Sequence, residues 1–445
     1  MPTPSGSGTT DPTSPRPAAD ASRPEPAADG AGVAAATEPL PGGAGYLAVF
    51  AVREFRAVFV AHLMSMLGEV VCGIALSVLV YRATGSPLLS ALAFAFALLP
   101  YVIGGTLLSA VADRYPTRRV LVVCDLASAA CVATMVVPGA PVWLLLTLRC
   151  VPAAISPVFS GARAATLSDI LGDGDLFVLG RSVIRLSAQG TQLAGFAAGG
   201  LLLTAVSPRA ALAITAASFL GSALVLRLGT RRRPARAADQ GGALLGDSLR
   251  GMRQLFAAPR IRVLFLLSWV PPTFVVASEA LMTPYSDRLG LDSTGLGLLM
   301  CGMPVGAIVS ETLAGTLLGP AGRARLTLVV AVVCALPSLG YVFEPSFGWA
   351  LALQVATGFG MSYGLGLDQW FVAAVPEELR GRAMTVMAAG LMTAQGLGMA
   401  VAGAAAELAP VHLVVTGAGV CGTVGSLLVV ARVRRGGPDR NVRLS

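Results

Sequence analysis

Twelve times between residues 57 and 432 the chain passes through a stretch of about 20 mostly apolar residues, the length of helix that crosses a hydrocarbon core of about 30 Å. The stretches fall at 57–81, 87–111, 119–139, 141–162, 182–205, 209–229, 261–284, 294–319, 326–343, 348–373, 383–406 and 411–432. In lipid every backbone N–H and C=O must be satisfied inside the protein, so runs of this length fold as spanning helices. Composition agrees, with 55% hydrophobic and 13% charged residues against about a quarter charged in soluble chains.

Arginine placement orients the helices. With the N-terminus inside, the flanks and loops of the cytoplasmic side hold 25 Arg, and the outer loops hold Arg82, Arg209 and Arg288. Arg149 and Arg185 fall inside helices, and Arg16 and Arg23 lie in the N-terminal tail. The positive-inside rule then puts both termini in the cytoplasm and requires an even number of crossings. This placement also accounts for the net charge of +8 without a nucleic-acid partner.

The two halves echo each other. Gly105-Thr106-Leu107-Leu108 ends the second run and Gly315-Thr316-Leu317-Leu318 ends the eighth, each leading into an Arg-bearing loop. Corresponding positions in a six-plus-six arrangement are expected of two parallel repeats. The expected fold is therefore an all-α membrane protein, with a six-helix bundle at 47–229 and a second at 261–432. Residues 1–46, rich in Pro, Ala, Gly, Ser and Thr, read as a disordered cytoplasmic tail without signal-peptide features. Residues 230–260 read as a cytoplasmic linker with an amphipathic helix at Leu244–Phe256, and 433–445 as a second cytoplasmic tail.

Several chemistries are excluded. No Lys occurs, all 32 basic residues being Arg, so there is no Walker A phosphate loop and no Schiff-base lysine. The Cys at 72, 124, 131, 150, 301, 334 and 421 all lie in apolar runs with no C-x-x-C pair, as small buried hydrophobes do. Two His make a histidine metal centre unexpected, and no nucleophile–base pair or acidic Mg²⁺ repeat suggests an enzyme. No cofactor is expected.

The stretches FRAVFVAHLMSMLGEVVCGIALSVLVYRATGSPLL and GGTLLSAVADRYPTRRVLVVCDL, with VPEELRGRAM between the tenth and eleventh runs, resemble the major facilitator superfamily. The resemblance is to its drug exporters, in the branch with macrolide and siderophore exporters. Asp113, Arg114, Arg118 and Arg119 are similar to the charged positions of that family's cytoplasmic gating motif, which also implicates Asp125 through pairing with the motif arginines. Ser109 and Pro116 stand where the motif has Gly. Gly195-Phe196-Ala197-Ala198-Gly199-Gly200 is similar to the antiporter motif, with Phe196 in place of Pro; close helix packing alone also explains such glycines.

Charges at membrane depth are costly and usually functional. Glu69, midway along the first run, either binds a proton, a cationic substrate or each in turn, or is a fixed partner of Arg149. Arg149 resembles the fourth-helix arginine of proton-coupled antiporters and favours the ionised form of a nearby carboxylate. Glu311 in the eighth run is a cavity-lining candidate, and Glu279 in the seventh either joins it or reaches outer water. Gln189 and Gln192 could donate to a ligand or to a neighbouring helix. His62 serves either packing or the cavity, and Arg185 snorkels toward the cytoplasmic surface.

The expected function is proton-coupled efflux of an amphipathic small molecule, by a monomer in the cytoplasmic membrane. An importer of a small nutrient and a lipid flippase of the same fold are the alternatives.

Overall fold

The turn between the first two apolar runs shows why the chain reverses there. The helix Arg53–Thr84 ends on Gly85, whose φ of +67° suits glycine, and Ser86 accepts the backbone N–H of Leu89 at the start of the next helix. Pro87 fills the first helical position, where no N–H is needed. The Thr-Gly-Ser-Pro sequence is thus a stop followed by a start. Ser207 with Pro208 and Asp292 at Ser293 begin two further helices in the same way.

The computed structural model describes residues 46–104, 115–172, 175–233, 253 and 255–435. After a short helix at Tyr46–Ala51 come α1 (Arg53–Thr84), α2 (Pro87–Ala95, with a further turn at Tyr101–Ile103), α3 (Thr117–Met135) and α4 (Val142–Leu171). They are followed by α5 (Asp175–Ala205), α6 (Pro208–Gly229), α7 (Pro259–Ala280, extended by Met282–Arg288) and α8 (Ser293–Leu317). The last four are α9 (Pro320–Val333, continued as a 3₁₀ helix at Leu336–Phe343), α10 (Phe347–Phe359 and Tyr363–Ala374), α11 (Arg380–Ala406) and α12 (Val411–Arg435). No strand occurs among the described residues, so the fold is all-α.

These helices overlap the apolar runs, the second of which is described only as far as residue 104, and nine of them, among the described residues, are long and apolar enough to cross a membrane. The other three fall short for visible reasons. The second run is interrupted by turns after Ala95, α3 carries Arg118, Arg119 and Asp125, and α5 is diluted by Gln189, Gln192 and its glycines. Helices also outrun the apolar stretches. The fourth run ends at 162 on hydropathy, whereas α4 continues to Leu171 and carries Arg163, counted above with the cytoplasmic arginines, inside the helix.

Packing repeats with an offset of six. In the first half α1 lies against α5 and α6, and α3 against α4 and α6. In the second, α7 lies against α11 and α12, and α9 against α10 and α12. The halves meet where α2 packs on α11 and α5 on α8, which are again each other's counterparts under that offset.

The N-terminal tail, Asp113 and Arg114, the first Gly-Thr-Leu-Leu copy, most of the linker and the end of the C-terminal tail lie outside the described residues. Of the segment Leu244–Phe256, Leu255 is fully buried. Phe256 meets Phe265 of α7 at a ring-centroid distance of 5.4 Å, so the end of this segment packs on the bundle.

Candidate functional site

Glu69 sits halfway along α1, and Arg149 two turns into α4. Arg149 Nη1 lies 2.6 Å from Glu69 Oε1. Burial is unequal: the Arg149 side chain is 3% exposed and that of Glu69 38%. Arg149 Nε finds no hydrogen-bond partner among the described residues, so Glu69 is the group that answers its charge. Removing one partner of such a pair typically costs about 3–5 kcal/mol, because the other stays buried and uncompensated.

A second polar level lies one turn away on α1, toward the Arg-rich end. Ser65 donates to Asp125 Oδ1 of α3 at 3.0 Å, and Ser222 of α6 lies 2.5 Å from Oδ2. Asp125 is 3% exposed. Its partners among the described residues are these serines, not the arginines of the 113–119 loop. Arg163 Nη1 meets His62 Nδ1 across the same level, and its guanidinium stands 5.5 Å from the centre of the Phe159 ring. Arg118 instead donates to the carbonyl of Arg227 at the end of α6, and Arg119 is exposed. At that same end Glu54 ties the start of α1 to the chain beyond α6, pairing with Arg231 at 3.2 Å and Arg233 at 2.8 Å.

The remaining polar candidates are half-buried. Gln189 and Gln192 make no hydrogen bond among the described residues, and Glu279 of α7 makes neither hydrogen bond nor ion pair there. Beside Glu279, Ser278 donates to the buried Gln354 of α10 at 3.1 Å. Glu311 lies half-buried on α8 between buried Ser310 and exposed Thr312. Arg185 falls on α5.

The Arg-poor end is where the halves close on each other. Glu407, at the end of α11, accepts the Leu88 N–H at 3.1 Å and the Ser86 hydroxyl, so the second half caps a helix of the first. Buried Ser77 of α1 lies 2.8 Å from both Ser90 of α2 and Thr283 beyond α7. Gly200 of α5 and Gly297 of α8 touch through their backbones, and Gly403 of α11 presses on Leu88 and Ala91 of α2. The antiporter-like glycines therefore have packing duties, Gly195 and Gly199 against α1 and Gly200 against α8. Within the second half, Arg288, Glu344 and His412 form a network, with Arg288 at 2.7 Å and His412 at 3.1 Å from the Glu344 carboxylate.

Glu69 and Arg149 stand out in the sequence as charges at depth, and the structure joins them. Arg163, Ser65, Ser222 and Glu407 do not stand out there. Serines are nearly silent in hydropathy, and Glu407 reads as an ordinary loop carboxylate. The signal for Ser65 was its place one turn from Glu69 on the same helix.

A family model described as Major Facilitator Superfamily matches residues 58–373. The chain is 25% identical over 349 residues to the multidrug efflux pump Tap of Mycolicibacterium fortuitum, spanning 75% of this chain and 84% of that protein. Among solved structures it resembles the nucleoside transporter NupG, with a TM-score of 0.65 at 17% identity, covering 84% of this chain and 98% of that one. It also resembles a bacterial homologue of the human lysosomal transporter Spinster, with a TM-score of 0.62 at 16% identity, covering 88% and 96%. A D-xylose–proton symporter gives a TM-score of 0.63 at 16% identity, covering 86% and 97%. A helical body with nine membrane-length helices among the described residues and a family match over most of its length lead to one assignment: this chain is a transporter of the Major Facilitator Superfamily, a multi-pass membrane protein and not an enzyme.

Proposed function

We propose that this transporter exports an amphipathic small molecule across the cytoplasmic membrane, driven by inward proton movement, with Glu69 as the exchange site. The observation that carries the reading is the unequal burial of the Glu69–Arg149 pair. A deeply buried arginine holds a carboxylate whose other side remains accessible. Ionised, Glu69 pairs with Arg149; protonated, it releases that pair and leaves the arginine's charge to be answered by a substrate group or by water. Such a pair binds two alternatives in one place, as exchange requires. Glu311 and Glu279 bring carboxyl groups from the second half, and Gln189 and Gln192 offer amides free of other partners among the described residues.

The halves meet at the Arg-poor end, the outer side by the positive-inside rule. On this reading export proceeds by rocking the halves to open the outer end. Both termini are then cytoplasmic. Similarity to a multidrug efflux pump favours export, whereas the nucleoside and sugar transporters among the structural neighbours share only the fold at such low identity. One proton moving down 100 mV supplies about 2.3 kcal/mol, enough for useful accumulation.

The test is accumulation of a fluorescent amphipathic cation in everted vesicles. A protonophore should abolish it, and ATP depletion under an imposed proton gradient should leave it intact. Transport that survives the protonophore and stops without ATP overturns the reading.

A further inference from the structure

The geometry points to Asp125 as a second proton-binding site, held inside the first six-helix bundle by Ser65 and Ser222 and separate from the Glu69–Arg149 pair. It goes beyond the proposed function, since it does not depend on which carboxyl couples transport.

Fewer protons than oxygen–oxygen contacts are available at the site when Asp125 is ionised. Ser65 Oγ lies 3.0 Å from Asp125 Oδ1, Ser222 Oγ lies 2.5 Å from Oδ2, the two hydroxyls are 2.9 Å apart, and Ser222 Oγ is 3.1 Å from the Ala61 carbonyl oxygen. Two hydroxyl groups bring two protons to these four distances. An ionised Asp125 donates nothing, so two of the distances remain oxygen facing oxygen without a proton. A protonated Asp125 adds the third: Oδ2 donates to Ser222, Ser222 donates to Ala61, and Ser65 donates to Oδ1. The neutral carboxyl uses the site more completely than the anion.

Charge balance agrees. Asp125 is 3% exposed, and a carboxylate ionised at that depth costs several kcal/mol unless it is paired. The charged and titratable groups around it do not supply the pair. From α4 comes Arg163, which spends Nη1 on His62 of α1 and acts on Asp125 electrostatically without forming an ion pair with it. From α1 come His62 and, one turn beyond Ser65, Glu69, which is occupied by Arg149. From α2 comes Tyr101, which acts on Arg163 electrostatically, and on α3 itself the neighbour is the buried Cys124. From α6 only Ser222 meets the carboxyl, while Arg227 is at the helix end beside Arg118. Asp125 therefore has hydroxyl partners in contact, and the nearby cation, Arg163, acts on it from beyond ion-pair distance.

The site also joins three helices. Asp125 belongs to α3, Ser65 to α1 and Ser222 to α6, so losing its proton alters a junction that the whole bundle shares. Arg163 is the nearby charge that a deprotonated Asp125 would draw away from His62.

The experiment compares wild type with Asp125→Asn in ester-free detergent. Infrared spectra at neutral pH should show a carboxylic C=O band in wild type that is absent from Asp125→Asn, present in Glu69→Gln and shifted in Ser222→Ala. Thermal midpoints should coincide in acid, and the wild type should fall a few degrees below Asp125→Asn as the pH rises and the buried group ionises. Absence of that band at neutral pH, or an Asp125→Asn protein less stable than wild type across the alkaline range, overturns the proposal. Were Asp125→Asn not to fold, the band shift in Ser222→Ala decides it alone: no shift counts against.

Discussion

Gly200 of α5 and Gly297 of α8 pass so close that a Cβ on either would lie 2.7 Å from the other's Cα. That Cβ on Gly297 would also stand 2.9 Å from the Phe196 carbonyl oxygen, and one on Gly200 an equal 2.9 Å from that of Ser293. Backbone cannot yield as a flexible side chain does. This crossing joins the two halves at the Arg-poor end, so it can exist only while that end is shut.

Gly297→Ala should therefore destabilise the closed Arg-poor end without touching any polar candidate. Overpacking costs about 1–3 kcal/mol, an increase of about five- to a hundredfold in the population open at that end. The reporter is Ser77→Cys, buried in the closed state, labelled by a membrane-impermeant thiol reagent above the background of the seven native cysteines. Equal labelling with Gly200 and Gly297 intact or with Gly297→Ala would show that this crossing does not gate the end.

Glu407 is the polar counterpart of that seal. It accepts the Leu88 N–H in the first turn of α2 while Ser86 accepts that of Leu89, so one helix start is capped from both halves. Losing a cap costs about 0.5–2 kcal/mol, up to about thirtyfold in local opening. Glu407→Ala should speed hydrogen exchange at Leu88 by about tenfold, leaving amides in the middle of α8 unchanged. Unaltered exchange at Leu88 would remove Glu407 from the closure.

Much of this architecture is legible in the sequence because lipid allows so few alternatives. Apolar runs locate the nine helices that are long and apolar enough to cross a membrane among the described residues, and Thr84-Gly85-Ser86-Pro87 reads directly as a cap, an N-cap and a first turn. The same logic falters where a helix leaves the apolar layer. Hydropathy ends the fourth run at 162, but α4 goes on to Leu171, which turns Arg163 from a loop charge into a partner of His62. Partnership is the other illegible quantity. The pairing of Glu69 with Arg149 is one of two readings the sequence leaves open, and nothing in it says that Asp125 faces serines or that Glu407 reaches across to α2. Those facts depend on helix rotation, which runs apolar nearly all round leave unspecified.

Glu279 differs from Glu69 in having no ion pair or hydrogen bond among the described residues, so its neutral replacement strands no partner. Glu279→Gln should keep the yield and a thermal midpoint equal to or above that of wild type. If Glu279 meets the substrate, the same protein should lose efflux of cationic amphiphiles while retaining efflux of neutral ones. Undiminished cation efflux would place Glu279 outside the substrate path.

The Glu69–Arg149 pair supports the sharpest comparison, because an exchange site and a fixed brace make opposite demands on it. A brace is ionised throughout, so Glu69→Gln leaves Arg149 uncompensated in every state and costs about 3–5 kcal/mol. An exchange site must tolerate a neutral Glu69 during part of each cycle, and glutamine imitates that state at nearly constant volume. On the proposed mechanism Glu69→Gln should express normally, remain within about 1 kcal/mol of wild type in stability at low pH, and lose the pH dependence of efflux. Arg149→Gln leaves a carboxyl that is already 38% exposed and should weaken efflux with little loss of stability, since the exchange site loses its ion-pair partner while no buried charge is stranded. The double variant should match Glu69→Gln in transport, because the arginine acts only through the carboxylate. Efflux and detergent thermostability measured on the same preparations separate the cases. Wild-type pH dependence in Glu69→Gln eliminates Glu69 as the proton carrier, and a stability loss restored by adding Arg149→Gln identifies a structural brace.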